Sequence, residues 1–158
     1  MTAFTNKVDF AVIFTVNKAN PNGDPLSGNQ PRIDFKGFGE VSDVCMKRKI
    51  RNRLQDMGEN IFVQSDERSN DGFKSLSERA SNNKELKAVL KDREAYASAA
   101  CKQWTDVRAF GQVFAFKANN VSVGVRGPVS IRTAESINPV VTTDMQITKS
   151  VNSEPSEK

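Results

Sequence analysis

Residues 47–53 hold the densest group of charged side chains in this sequence, Lys-Arg-Lys-Ile-Arg-Asn-Arg. Five of these seven residues are cationic. The whole chain has 23 Lys and Arg against 19 Asp and Glu, so removing these five leaves 18 against 19 and a net charge of −1. Because the excess positive charge lies in one short stretch, the sequence predicts a polyanionic partner, of which nucleic-acid phosphate is the commonest.

Histidine, the commonest general acid and base, does not occur in the sequence. The two cysteines, Cys45 and Cys101, are far apart and too few for a structural zinc site. In a chain without a secretion signal, such cysteines are typically reduced. Any enzyme chemistry would therefore have to rest on Lys, Tyr96, Ser, Thr or carboxylates, and we expect no catalytic residue, no metal and no cofactor.

The length and composition predict a folded chain of ordinary domain size. Of the 158 residues, 37% are hydrophobic, which is enough for a real core. No apolar run approaches the roughly 20 residues that span a bilayer, and the N-terminal residues lack the apolar core of a secretory signal. We therefore expect a cytoplasmic protein without a membrane partner.

The cationic stretch lies within a predicted helix from Ser42 to Met57. Ser42 or Asp43 is a suitable N-cap, and Gly58 is a natural C-terminal stop. Four apolar residues recur at spacings of four, four and three, which predicts one buried stripe made by Met46, Ile50, Leu54 and Met57.

The helical period separates the five cations onto two flanks of that stripe. At about 100° per residue, one flank carries Lys47, Arg48 and Arg51. The other flank carries Lys49 and Arg53. This geometry suits contact with the backbone of one strand better than insertion into a duplex groove, and we expect a single strand to meet about three of the five cations.

Alternating and apolar segments predict strands on either side of a helical region. Lys7–Val16 has the pattern of an interior strand. Val113–Phe116 and Val121–Ile131 predict two further strands, and Gln146–Val151 predicts an extension. The intervening region, 60–108, has mainly helical character.

Two further features could contact a phosphate backbone. The loop Asn20–Arg32 is broken by three prolines, and its small residues leave backbone N–H groups accessible. A plain surface connection is the alternative for this loop. In the strand Val121–Ile131, most residues on the face opposite the core are small. Arg126 makes this face cationic, and Arg132 follows just beyond the strand.

Five segments of the chain together resemble one known family. In order, they are NPNGDP (20–25), GFGEVSDVCMKRKIRN (37–52), WTDVRAFGQVF (104–114), GVRGPVSI (124–131) and MQITKSVN (145–152). They are similar to the backbone-forming subunit of the type I-C CRISPR Cascade complex, a protein of the RAMP superfamily. The resemblance spans roughly residues 8–152.

The resemblance implies an α+β fold: a modified RRM, or ferredoxin-like, palm with helical and loop insertions. It implies a single palm over residues 1–152, a helical finger at about 60–108 and a disordered tail at 153–158. Members of this family are considerably longer, so the palm is expected to be incomplete at its C-terminal end and the chain to be an N-terminal portion.

The resemblance also implies a function in antiviral defence. Several copies of the family subunit polymerise along a CRISPR RNA, hold its backbone irrespective of sequence and accommodate target DNA beside other Cascade subunits. The residues that the resemblance and the sequence together assign to RNA binding are Asn20, Asn22, Gly23, Arg32, Lys47, Arg48, Lys49, Arg51, Arg53, Arg108 and Arg126.

An enzymatic alternative stays open on the residues alone, namely a RAMP-type endoribonuclease that processes CRISPR RNA. Asp24, Asp34 and Asp43 are near the basic helix in sequence, and clustered carboxylates can bind a catalytic metal. Acids in turns and at helix N-termini more often serve local structure. An amphipathic membrane-surface helix over 43–57 is disfavoured because its apolar stripe has no Trp or Phe.

Overall fold

The computed structural model describes residues 5–116 and 121–154 and has an α+β architecture. Its helices are α1 Asp43–Asp56, α2 Leu76–Asn82, α3 Lys84–Ala88, α4 Arg93–Gln103 and α5 Thr105–Phe110. Its strands are β1 Gly23–Asp24, β2 Gln30–Pro31, β3 Phe38–Val41, β4 Gly111–Phe116, β5 Val121–Arg126 and β6 Ala134–Pro139. Single 3-10 turns occur at Pro25–Ser27 and Asp66–Arg68. The predicted α+β class is confirmed.

The chain forms two compact units. Unit 1 comprises Met1–Glu40 and Glu135–Lys158, and unit 2 comprises Val41–Ala134. The sheets are small: β1 pairs with β2, β3 with β6, and β4 with β5. The predicted single palm over 1–152, with its finger at 60–108, stays a prediction.

Unit 2 holds every side chain that the described residues bury. Its core is an aromatic cluster in which the rings of Phe62 and Trp104 lie 4.6 Å apart and those of Tyr96 and Phe114 lie 5.4 Å apart. Phe62 and Phe114 are also in ring contact, at 5.1 Å. Tilted and edge-on aromatic pairs at these distances add to the hydrophobic stabilisation that burial provides. This core includes Val107 of α5 and Val123 of β5, so it fixes the two elements that carry Arg108 and Arg126.

The helix predicted over 42–57 is confirmed as α1. The hydroxyl of Ser42 accepts a hydrogen bond from the backbone N–H of Cys45 at 3.2 Å, so Ser42 is the N-cap. Gly58 follows the helix with a φ of 84°, as a C-terminal stop requires. The predicted buried stripe is wrong, since no residue of α1 is buried: Met46, Ile50 and Leu54 are half-buried, and Met57, which follows the last helical turn, is 66% exposed. None of the described helices is long and apolar enough to cross a membrane.

The hairpin β4–β5 confirms the predicted alternation up to Arg126. Its register pairs Gly111 with Arg126, and Val123 points into the core while Arg126 is exposed. The predicted continuation of the strand to Ile131 is wrong. A Cβ on Gly127 would lie only 2.2 Å from the backbone oxygen of Ala109, and Pro128 has no N–H to donate, so the ladder ends there.

Two predicted strands do not form. The segments Lys7–Val16 and Gln146–Val151 have no strand assignment, and the predicted interior position of Lys7–Val16 is wrong because side chains such as Phe10 are exposed, Phe10 by 67%. An alternating pattern shows that a segment suits a sheet, but a strand forms only where a neighbour takes its backbone hydrogen bonds. Among the described residues, the backbone of Lys7–Val16 has no such neighbour.

The sequence analysis missed four strands, namely β1, β2, β3 and β6. β6 pairs with β3, although its sequence Ala-Glu-Ser-Ile-Asn-Pro has a single strong strand former. The Ser136 hydroxyl accepts a hydrogen bond from the backbone N–H of Gly39 at 2.9 Å, which supports this pairing from a side chain. Of the predicted tail, residues 155–158 lie outside the described residues, and residues 153 and 154 are exposed.

Candidate nucleic-acid interface

Arg51, the fourth cation of the basic stretch, is a structural partner of a buried acid. Its Nε donates a hydrogen bond to Oδ2 of Asp106 at 2.9 Å, and the Arg51 side chain is only 12% exposed. The fully buried carboxylate of Asp106 also accepts hydrogen bonds from the backbone N–H groups of Phe62 at 2.7 Å and Val63 at 3.1 Å. Removing one member of a buried ion pair costs about 3–5 kcal/mol because the other is left uncompensated. Arg51 therefore holds α1 against α5.

The two other cations of this flank also contact the protein itself. Arg48 donates a hydrogen bond from Nη1 to the backbone oxygen of Val63 at 2.7 Å. Burial, followed by the nearby charge of Arg51, lowers the pKa of Arg48. Lys47 pairs with Asp43 at 3.3 Å, one helical turn away.

Two of these cations lie over the ring of Phe110. Lys47 Nζ lies 5.9 Å from the ring centroid and Arg51 Cζ lies 5.2 Å from it. Both distances are within the range of cation–π attraction. Lys47, Arg48 and Arg51 therefore form an inner flank that fastens α1 to unit 2.

Lys49 and Arg53 form the outer ridge of α1. Both are exposed, and neither side chain has a hydrogen bond or ion pair with any residue that the structure describes. Residues four apart on a helix have Cβ atoms about 6 Å apart, so the two charges are adjacent. The outer ridge can bind two consecutive phosphates without breaking a contact that the fold needs.

Arg108 and Arg126 supply two more exposed cations in unit 2. Arg108 lies on α5, and Arg126 ends β5 opposite Gly111, which follows α5 directly. Three residues of chain and one strand pair separate their Cα atoms, which limits their distance to about 17 Å. Since the Arg51–Asp106 pair joins α1 to α5, these arginines and the outer ridge belong to one connected scaffold.

The loop predicted at Asn20–Arg32 is a small hairpin in unit 1, built from β1, a 3-10 turn and β2. Asn20 Nδ2 donates to the backbone oxygen of Asn29 at 2.7 Å, and Asn22 accepts from the backbone N–H of Arg32 at 2.9 Å. A Cβ on Gly23 would lie 1.9 Å from Oδ1 of Asn29, so a larger residue there would require the Asn29 side chain to move. Asn20, Asn22 and Gly23 therefore shape the hairpin, while the Arg32 side chain is exposed.

Of the three acids considered for a metal site, Asp24 and Asp34 serve the local backbone and Asp43 pairs with Lys47. Asp24 accepts from the N–H of Leu26 at 3.1 Å, and Asp34 Oδ1 accepts from the N–H groups of Lys36 and Phe38, both at 2.8 Å. Within 5–116 and 121–154, no three potential ligands come close enough together to hold a metal ion.

The buried partner of Arg51 is the residue that the sequence analysis missed. Asp106 is 55 positions away from Arg51 in the chain, and no spacing rule relates residues at that distance. Its place in the first turn of a short helix is typical of an exposed acid near a helix N-terminus, so the sequence alone predicts the opposite environment.

The fold and the exposed cations define an α+β protein whose surface suits a phosphate backbone. A family model described as CRISPR-associated protein Cas7 matches residues 6–158, and the chain belongs to this family. The family-level resemblance to CRISPR-associated RAMP proteins is therefore confirmed.

A curated relative from Haloferax volcanii, also named CRISPR-associated protein Cas7, is 30% identical over 150 residues. The match covers 85% of this chain and 44% of the relative, so the chain spans less than half of the relative's length.

Proposed function

We propose that this protein is a non-enzymatic subunit that binds CRISPR RNA and polymerises along it in a type I-C Cascade complex for antiviral defence. Membership of the Cas7 family carries the proposal. It includes an RRM-like palm of which this chain is the N-terminal portion, target DNA and other Cascade subunits as partners, and a cytoplasmic location. The exposed cations of the outer ridge, Arg108 and Arg126 supply a physical means of binding.

The chemistry of these cations favours backbone contact over base reading. Lys and Arg side chains neutralise phosphates, and such contacts position a strand without distinguishing its sequence. A guide held in this way keeps its bases available, and base pairing with the target then provides the specificity.

The experiment that tests the proposal measures RNA affinity against salt. Each phosphate contact lowers log affinity by about 0.7 per unit of log salt for a single strand. Removing the outer ridge with Lys49→Ala and Arg53→Ala removes two contacts and should reduce the slope by about 1.4. Fluorescence anisotropy with labelled single-stranded RNAs of different sequences gives the slope.

A matched control separates specific contact from general electrostatics. Lys87 and Lys91 are exposed cations four residues apart that lie at and beyond the end of α3. The double variant Lys87→Ala and Lys91→Ala loses the same charge as the outer-ridge variant. The proposed interface is wrong if both double variants change the salt slope equally, or if neither does.

Assembly and catalysis have their own assays. Size-exclusion chromatography with and without CRISPR RNA should give a series of RNA-dependent oligomers, and a monomer in both conditions would contradict the assembly function. Incubation with repeat RNA and Mg²⁺ should leave the RNA intact, whereas cleavage at a defined position would establish the endoribonuclease alternative.

A further inference from the structure

A cleft of about 300 Å³ opens in unit 2, beside the start of α3 and the end of α4. This volume is at the lower end of the range of about 300–1,000 Å³ for small-molecule sites. Its lining is unusually rich in carboxamides, contributed by Asn60, Gln64, Asn70, Asn82, Asn83 and Gln103. None of these residues belongs to the interface described above.

Arg79 and Asp71 contribute a fixed ion pair to this lining. The Arg79 guanidinium is 4% exposed and donates to both oxygens of Asp71, at 2.9 Å for the bond from Nη2 to Oδ1. Its Nη1 donates to the backbone oxygen of Phe62 at 2.8 Å, which ties the pair to the core. A two-pronged pair of this kind is rigid and electrically neutral overall, so it does not select an ionic ligand.

Four of the six carboxamides retain free hydrogen-bonding capacity, whereas Gln64 donates to the backbone oxygen of Ile61 and Asn82 to that of Glu78. The side chains of Asn60, Asn70 and Gln103 make no hydrogen bond to any residue in the described part of the chain. Asn83 uses its Oδ1 to cap α3, accepting from the N–H groups of Glu85 at 3.0 Å and of Leu86, which leaves its NH₂ group to donate. The carboxamide side chains of the cleft can therefore donate hydrogen bonds to, and accept them from, the uncharged polar edge of a ligand.

Three further residues of the lining indicate which class of ligand the cleft could bind. Phe73 and Trp104 add aromatic surface, and Lys84 adds a cation whose side chain is unpaired among the described residues. A nucleobase combines a polar edge with an apolar ring face, and the phosphate attached to it through its ribose is an anion. Asn and Gln side chains bind the N6 and N7 edge of adenine with two hydrogen bonds, and aromatic side chains contact base rings.

We propose that this cleft binds one unpaired nucleotide, with an adenine edge on the carboxamides and its phosphate at Lys84. The proposal rests on the proposed RNA-binding function for the source of that nucleotide, a base of a single strand held by the outer ridge and its neighbours. It adds a base-dependent contact to a protein whose other contacts are to the backbone.

The single tryptophan of the chain, Trp104, lies in the lining and reports on occupancy. Titration of the full chain with AMP, excited selectively at tryptophan, should give a saturable change in fluorescence. Ribose 5-phosphate should bind at least tenfold more weakly because it lacks the base. Equilibrium dialysis with labelled AMP measures the same affinity without relying on the fluorophore.

The double variant Asn70→Ala and Gln103→Ala should weaken AMP binding at least about tenfold, the expected effect of losing two hydrogen bonds. Its melting temperature should match that of the wild type because both side chains lack internal partners. The outer-ridge double variant should bind AMP like the wild type while losing RNA affinity.

The outcomes separate the two proposals. No saturable AMP binding by dialysis at about 1 mM, equal binding of ribose 5-phosphate, or unchanged binding by the Asn70 and Gln103 variant would each overturn the nucleotide site. If the protein binds AMP but not RNA, the nucleotide site is supported and the proposed function is wrong. If it binds RNA with the expected salt slope but not AMP, the proposed function stands and the cleft proposal fails.

Discussion

The pairing of Arg51 with Asp106 leads to a prediction about which cations the fold needs. Arg51→Met keeps much of the aliphatic stem but leaves the fully buried carboxylate of Asp106 without its cation. We expect this change to lower the free energy of unfolding by about 3 kcal/mol, the lower end for breaking a buried pair, since two backbone N–H groups still bind the carboxylate.

Asp106→Ala should be more damaging than Arg51→Met. It removes the acceptor for two backbone N–H groups and leaves the guanidinium of Arg51 without its partner. An orphaned buried N–H costs about 1–3 kcal/mol by itself. The order of stability should therefore be wild type, Arg51→Met, then Asp106→Ala.

Thermal unfolding followed by the fluorescence of Trp104 measures this order. For a chain of this size, a loss of about 3 kcal/mol corresponds to a fall in melting temperature of about 6–12 °C. Lys49→Met, on the exposed outer ridge of the same helix, should melt like the wild type. Equal melting temperatures for Arg51→Met and Lys49→Met would refute the division of α1 into a structural flank and a free ridge.

Further predictions concern pH, a thiol and backbone exchange. The hydrogen bond from Arg79 holds the pKa of Asp71 below its usual value. The ionised carboxylate therefore stabilises the fold above the unfolded pKa of about 3.9, and this stabilisation is lost as pH falls through the lower folded pKa. In acid unfolding, the variant Asp71→Asn should lack this pH-dependent loss of stability. Burial raises the pKa of the Cys101 thiol, so its alkylation at pH 8 should be slower in native protein than in urea, and equal rates would contradict this environment. Backbone amides of Lys7–Val16 should exchange with deuterium much faster than those of β4, and slow exchange would show that the segment has a partner in solution.

The sequence predicts α1 well because the signals for a helix are local. Ser42, Gly58 and the apolar spacing each act within a few residues, and the structure confirms the helix and its two flanks of cations. The hairpin β4–β5 is similar, since its alternation places Val123 inside and Arg126 outside.

The sequence predicts less where a residue depends on a distant partner. Lys7–Val16 has the composition of a strand, but composition does not supply the neighbouring strand that its backbone needs. Whether Arg51 is exposed or paired depends on Asp106, 55 positions away. The carboxamides that line the cleft come from separate segments between positions 60 and 103. Such contacts follow from tertiary packing, which no local pattern encodes.

The division of the basic stretch bears on the proposed RNA binding, because it changes how many cations the helix can offer to a strand. A count of charges in the sequence gives five cations in 47–53, but three of them contact the protein itself and two form the outer ridge. With Arg108 and Arg126, the proposed interface has four exposed cations, which correspond to a salt slope of about 2.8. Binding through so few phosphates is weak for an isolated subunit and increases steeply when several subunits share one strand, because each bound copy raises the effective concentration of the next contact. Under the proposed function, this distribution of charge therefore favours binding by several copies that share one strand over binding by a single copy.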